Sequence, residues 1–378
     1  MKILSIIGSN DLSGGGPIYL CNSQKNFLSK QCYIKIFSIN SISFLKFFLF
    51  FLGYKRKKLA NLLLKFSLFH FHDIWNIRHH LLTIILRKLA IPYIFSAHGH
   101  FDIWSINKNF FLKKIFYLIF KKNFSYSSGF QISTIEELKE AKIFLKNTNI
   151  TFFLISNGVS IKVNDANDIV LKKKKDPNTF KLIFFGRIHY KKGIEIILCA
   201  FKKLLSDKKS QVINYHLTIV GPSEHYYLTK IKNLVIDLGL TSFVSFLEPI
   251  YDEQEKINLL SSHDIFLLPS YEEADSIALK ESLACGLPAI ISKQCRFNEI
   301  VINNCGLILQ NNTTEDLFIA IKEISDKNLL AAMSKNAMQL IDKKYKSSVM
   351  NKNLYEIYFD VMNGTRVAKN WACNNSRL

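Results

Sequence analysis

The chain has 378 residues, 48% of them hydrophobic and 21% charged, which is enough for two domains of ordinary size, each with its own core. Its 31 Phe and 15 Tyr against 15 Gly and 7 Pro exclude wholesale disorder. The 7 Cys show no Cys-x-x-Cys spacing, so they suggest neither a zinc ribbon nor a disulfide framework and read as reduced, cytosolic thiols.

Along the chain, Met1 to Ile7 reads as a first buried strand, too short for a signal-peptide core. Ser9 to Pro17 follows, with Gly14, Gly15 and Gly16 ahead of the next helix. It is not the G-x-G-x-x-G dinucleotide fingerprint, which leaves a tight glycine turn touching a phosphate or a plain flexible loop. Further short apolar runs at Tyr33 to Ser38, Leu68 to His72, Tyr93 to Ala97, Gly129 to Ser133 and Thr151 to Ile155 alternate with helical periodicity. That alternation argues for parallel βα units.

Charge is uneven: residues up to Ser156 carry a net +15, the remainder +5. The same half holds an apolar run, Phe44 to Leu52, followed by Lys55, Arg56, Lys57 and Lys58. It also holds the segment Phe110 to Lys122, where Phe111, Ile115, Leu118 and Ile119 share a helical face flanked by Lys113, Lys114, Lys121 and Lys122. Neither reaches the roughly 20 apolar residues of a spanning helix. Two readings stand: core helices with solvated lysines, or a basic amphipathic surface resting on anionic lipid headgroups. No zinc-finger spacing or RNP-like aromatic motif points to nucleic acid.

Asn157 to Phe180, with Asn-Gly, four consecutive lysines and Asp-Pro, reads as a linker. The alternation then restarts with strands at Lys181 to Phe185, Leu217 to Val220, Val244 to Phe246, Ile265 to Leu268 and Ala289 to Ser292. Helices are expected at Gly193 to Leu205, Tyr227 to Leu238 and Ser347 to Met362. The expected organisation is a first domain over 1–160, a linker over 161–179, a second domain over 180–346, a helix over 347–362 crossing back to the first domain, and a polar tail over 363–378.

Three constellations could carry chemistry. In Pro269 to Pro288, a loop with Glu272, Glu273 and Asp275 follows an apolar strand, and a helix starts near Ser276. Ligands of open parallel sheets bind beyond the carboxyl ends of strands. There the amides of Ile277 and Ala278 can face an anion while Glu273 and Glu281 accept hydrogen bonds from hydroxyls. In Phe184 to Gly193, Gly186 and Arg187 lead into a turn ending at Lys192, and two cations at a strand-to-helix turn suit a diphosphate. Both sets also admit the plain reading of solvated loop and helix charges. Six of the ten histidines lie in the first half, and the pair His98 and His100 after a strand suggests metal but is read as lacking a close acidic or Cys partner. His79, His80 and His100 read as hydrogen-bonded loop histidines. His98, at a strand's carboxyl end, reads equally as such a histidine or as ligand-facing.

Together these motifs resemble the retaining glycosyltransferases of family 4, whose α/β architecture is the GT-B fold, two Rossmann-like domains with parallel sheets facing across a cleft. The family's Glu-x7-Glu is matched by Glu273 and Glu281, its Gly-Arg…Lys-Gly by Gly186, Arg187, Lys192 and Gly193. Asn157, Gly158 and Val159 match its linker Asn-Gly-Val, and His98 and Gly99 its His-Gly. The resemblance implies that Arg187 and Lys192 bind the donor diphosphate, Glu281 the ribose and Glu273 the donor sugar. It places Gly15 and Gly16 on the diphosphate and His98 on the reacting sugar, with Ser276, Ile277 and Ala278 completing the donor site. Where the family often has Gly-Phe-Gly after the first glutamate, this chain has Ala274, Asp275 and Ser276, and Asp275 is expected to alter which sugar hydroxyls are recognised.

The implied activity is transfer of a hexose-type sugar from a UDP- or GDP-sugar, without metal or other cofactor, to a glycan or polyprenyl-diphosphate-linked acceptor. The setting would be assembly of cell-surface polysaccharide such as O-antigen, lipopolysaccharide or capsule, in the cytoplasm or peripherally on the inner membrane face. The alternatives are a nucleotide-sugar 2-epimerase of the same architecture and a non-catalytic glycan or lipid binder.

Overall fold

The computed structural model describes residues 1–8, 16–41, 43, 56–146, 149–161, 179–207 and 214–364. Gly14 and Gly15, the run Phe44 to Leu52, residues 162–178 of the expected linker and residues 365–378 of the expected tail lie outside the described residues. The chain divides into two units, Met1–Gly158 with Ser347–Leu378, and Val159–Lys346.

The first unit is built on strands β1 (Lys2–Ile7), β2 (Tyr33–Ser38), β3 (Leu68–His72), β4 (Tyr93–Ser96), β5 (Gly129–Ile132) and β6 (Phe152–Leu154). They form one parallel sheet in the order β2-β1-β3-β4-β5-β6. All five residues of β3 are buried, as a parallel strand covered on both faces requires. Its alternate residues serve two cores. Phe69 and Phe71 join Phe95, Phe124 and Phe130, while Leu68 joins Ile94 and the helix Ser347–Met362 through Leu354, Ile357 and Tyr358. The spacing of those three positions is that of one helical face.

The second unit carries β7 (Thr179–Phe185), β8 (Asn214–Val220), β9 (Val244–Leu247), β10 (Ile265–Leu268), β11 (Ala289–Ile291) and β12 (Gly306–Ile308). Its parallel order β12-β11-β10-β7-β8-β9 is that of the doubly wound dinucleotide-type sheet. Three-residue β12 opens on Gly306, which weakens a strand pattern, and it escapes a reading of the sequence. The helix Ile194–Ser206 buries Ile194, Ile197, Leu198, Phe201 and Leu204, an apolar stripe at helical spacing.

In the first unit, the helix Phe110–Ser125 buries Tyr117, Phe120 and Phe124. On its other side Phe111, Leu112, Ile115, Leu118 and Ile119 are all exposed, Phe111 by 79%. Among the described residues no helix is long and apolar enough to cross a membrane.

Candidate active site

In the second sheet the strand order reverses between β7 and β10, the point where doubly wound sheets bind ligands beyond their carboxyl ends. The loops leaving those two strands are the two richest constellations of the sequence, 186–193 and 269–276. Gly193 joins them. It adopts φ +66°, and a Cβ there would sit 2.2 Å from the carbonyl oxygen of Pro269, so only glycine lets the helix Ile194–Ser206 start against the end of β10. The Tyr271 N–H donates to the Lys191 carbonyl at 2.7 Å, binding the loops further.

Two ion pairs then cross from one loop to the other. Lys191 Nζ lies 2.9 Å from Glu272, and Lys192 Nζ donates to Glu273. Glu273 is 8% exposed, and its Oε1 also accepts from Ser270 Oγ at 2.9 Å, while its N–H donates to the Gln294 carbonyl at 3.2 Å. Gly186 ends β7 with its N–H on the Val220 carbonyl at 2.9 Å, and Arg187 beside it is exposed.

The helix Ile277–Ala284 opens at the same edge. Ser276 caps it by accepting from the Leu279 N–H at 3.3 Å, so the amides of Ile277 and Ala278, in the first turn, have no acceptor within the helix. One turn on, Glu281 is buried and paired with Lys256 at 2.6 Å. Burial raises its pKa while the Lys256 ammonium draws it back. Asp275 does not stand free in the loop. Its carboxylate is held by Lys280, whose ammonium is fully buried and lies 4.6 Å from the centre of the Tyr345 ring. Burial lowers the Lys280 pKa against the opposing pull of Asp275.

The structure thus gathers Lys192, Glu273, Ser276, Ile277 and Ala278 on adjoining loops, with Gly186 and Arg187 on the β7 side and Glu281 in the following helix. Lys256, Ser270 and Lys280 complete the arrangement and have no mark in the sequence. Lys256 lies 25 residues from Glu281, and nothing local announces the pairing.

In the first unit the order reverses between β1 and β3, and the helix Gly16–Phe27 begins with Gly16. His72 ends β3, and its Nδ1 is hydrogen-bonded to His98 Nε2 at 3.0 Å, the rings stacked. His98 is half-buried with φ +48°, and burial lowers its pKa to about 4, with His100 adding to the effect. The next residue is tied down by Glu137, which accepts from the Gly99 N–H at 2.6 Å and the Ser133 N–H at 3.1 Å. Thr134-x-x-Glu137 is a capping box in the sequence, with Thr134 accepting from the Glu137 N–H, and it could have flagged this anchor.

Two histidine expectations need correction. His79 and His80 are not in a loop but inside the helix Ile77–Lys88, wholly buried and hydrogen-bonded to the carbonyls of Asp73 and Ile74. An acidic partner does lie close: Asp73 meets His100 at 3.2 Å, brought there by folding across strands. Among the described residues no three His, Cys, Asp or Glu side chains stand together as a metal site.

Both sheets are those of the GT-B fold. Sucrose-phosphate synthase from Thermosynechococcus elongatus aligns with a TM-score of 0.75 at 16% identity over 96% of this chain and 100% of its own. Anabaena Alr3699/HepE, solved in complex with UDP-glucose, aligns with a TM-score of 0.73 at 16% identity over 95% of this chain and 100% of its own.

Within that fold, residues 165–340, a little under half of the chain, match the family model Glycosyl transferases group 1. An uncharacterized glycosyltransferase, MJ1069 of Methanocaldococcus jannaschii, is 27% identical over 260 residues, 67% of this chain. The match spans 63% of that relative's length.

Proposed function

We propose that the chain is a retaining, metal-independent glycosyltransferase that moves a hexose-type sugar from a UDP- or GDP-sugar to a glycan or lipid-linked glycan. The observation that carries this reading is the meeting, at one switch point, of Lys192 and Arg187, a serine-capped helix N-terminus and the buried carboxylates of Glu273 and Glu281. The likeness to Alr3699/HepE, which was solved with UDP-glucose, supports a nucleotide-sugar donor.

Glycosyl transfer passes through an oxocarbenium-like state while negative charge builds on the departing diphosphate. Fixed cations and unpaired helix amides aimed at that charge stabilise the transition state more than the ground state. In this reading Arg187, Lys192 and the amides of Ile277 and Ala278 take the diphosphate. Glu281 accepts from the ribose hydroxyls and Glu273 from those of the sugar. His98 is neutral at physiological pH, so the first unit offers an imidazole rather than a cation.

The acceptor side rests on the first unit. Its exposed apolar helix face and the net +15 of residues 1–156 fit a lipid-linked acceptor at an anionic membrane surface, as in cell-surface polysaccharide assembly.

The test is a panel of UDP- and GDP-sugars with membrane lipid extract, with and without chelator, followed by analysis of product and anomeric configuration. Arg187→Ala is expected to lower turnover on the order of a hundredfold with folding unchanged. Full turnover in that variant would remove the mechanism. Isomerised donor in an acceptor-free incubation would make the chain an epimerase instead.

A further inference from the structure

The two groups that the donor reading needs for different parts of the ligand, Lys192 for the diphosphate and Glu273 for the sugar, hold each other in this structure. Glu273 is nearly buried and its second neighbour on the same oxygen is the Ser270 hydroxyl. A carboxylate so placed has little access to water. Losing its ammonium partner without replacement would leave a desolvated, underpaired charge.

We infer that Glu273 and diphosphate compete for Lys192, and that this competition makes the site favour the intact donor over the spent nucleoside diphosphate. An intact donor draws Lys192 to its phosphates and at the same time supplies sugar hydroxyls that donate to Glu273. Both charges end paired. A nucleoside diphosphate alone takes Lys192 and returns nothing to Glu273, so its binding carries the cost of stranding that carboxylate. After transfer, with the sugar gone, Glu273 reclaims Lys192 and drives the diphosphate off. The pair is therefore a specificity element and a release device. The inference rests on the donor reading above and adds to it an ordering of affinities.

The neighbouring pair Lys191–Glu272 provides a control, because it has the same chemistry in the same loops and an acid almost as buried, at a residue to which the donor reading gives no part of the ligand. The experiment is calorimetric titration of the full chain with UDP and GDP, and with UDP-glucose and GDP-mannose. The proteins compared are the wild type, Glu273→Gln, Glu273→Asp and Glu272→Gln. Glu273→Gln should bind the free diphosphate about fivefold tighter, the equivalent of a partly exposed ion pair, and bind the matching nucleotide sugar more weakly.

Glu273→Asp keeps the charge but withdraws it by one methylene, and should fall between; it also serves if the glutamine variant fails to fold. Glu272→Gln should shift both ligands in the same direction and by less. Weaker or unchanged diphosphate binding in both Glu273 variants overturns the inference while leaving the donor reading intact. Equal tightening in Glu272→Gln overturns it too, as a general field effect. If no nucleotide binds any of the proteins, the donor reading falls and takes the inference with it.

Discussion

The two units use the same kind of sheet and solve its carboxyl edge with opposite chemistry. In the first, the side chains on β3 and just beyond β4 are mostly imidazoles kept neutral by burial, His72 against His98 and His70 between Tyr358 and Ser96, with the Asp73 carboxylate beside them against His100. In the second, they are full charges kept in pairs: Lys191 with Glu272, Lys192 with Glu273, Lys256 with Glu281 and Lys280 with Asp275. Away from those edges the contrast reverses, since the excess positive charge lies in the first half of the chain. The first edge is thus mainly neutral imidazole and the second densely charged.

The sharpest way to break this contrast is through its most buried charges. Lys280→Met would leave the Asp275 carboxylate without its ammonium in a site where both are nearly inaccessible, and should cost about 3–5 kcal/mol of stability. Asp275→Leu should cost a comparable amount, but the double variant should recover most of it, because two apolar groups strand no charge. Denaturant unfolding of the four proteins reads the cycle. Additive losses would mean that the two residues act separately and that paired charge is not what holds the loop before Ser276.

The first unit should fail in acid by contrast. His70 is lowered to about 3, and His80 and His98 to about 4, each chiefly by burial, against 6.5 when unfolded. The unfolded chain therefore binds more protons than the folded one between those values. These histidines stabilise the fold fully above pH 6.5, and their contribution is lost as pH falls towards 4. Melting temperature should drop across that window at constant ionic strength. His80→Phe should flatten the drop, since the ring already packs among Phe95, Phe120 and Phe124. An unchanged slope in that variant would show that His80 is not among the groups that take up protons.

What could be read beforehand follows the range of the interactions involved. Eleven of the twelve strands show as short apolar runs because burial on both faces of a parallel sheet leaves a local pattern. Glu273, Glu281, Arg187 and Lys192 stand out because they flank strand ends and a helix start. The groups that hold the site do not: Lys256 reaches Glu281 from 25 residues away, and Ser270 and Lys280, though near Glu273 and Asp275 in sequence, take their roles only from the fold of the loop. Asp275 shows the limit most clearly. It is expected to alter which sugar hydroxyls are recognised, and Lys280, five residues along the same segment and given no role in the sequence, takes its carboxylate inward.

The smallest expected effects test the other side of the contrast, the surface of the first unit. From Ile103 to Ile135 there is no acidic residue, and Lys114, Lys121 and Lys122 lie beside the exposed Phe111, Ile115, Leu118 and Ile119. An interfacial helix combines buried apolar area with attraction to anionic lipid, each lysine near the surface adding about 1 kcal/mol at most. Co-sedimentation with phosphatidylglycerol-containing vesicles should therefore exceed that with pure phosphatidylcholine and weaken as salt rises. Ile119→Glu, on the exposed face, should reduce it more than Lys121→Gln, and neither should change nucleotide binding in the second unit. Equal recovery with both lipids at low salt would assign the lysines to solvent and leave the acceptor without a membrane to meet.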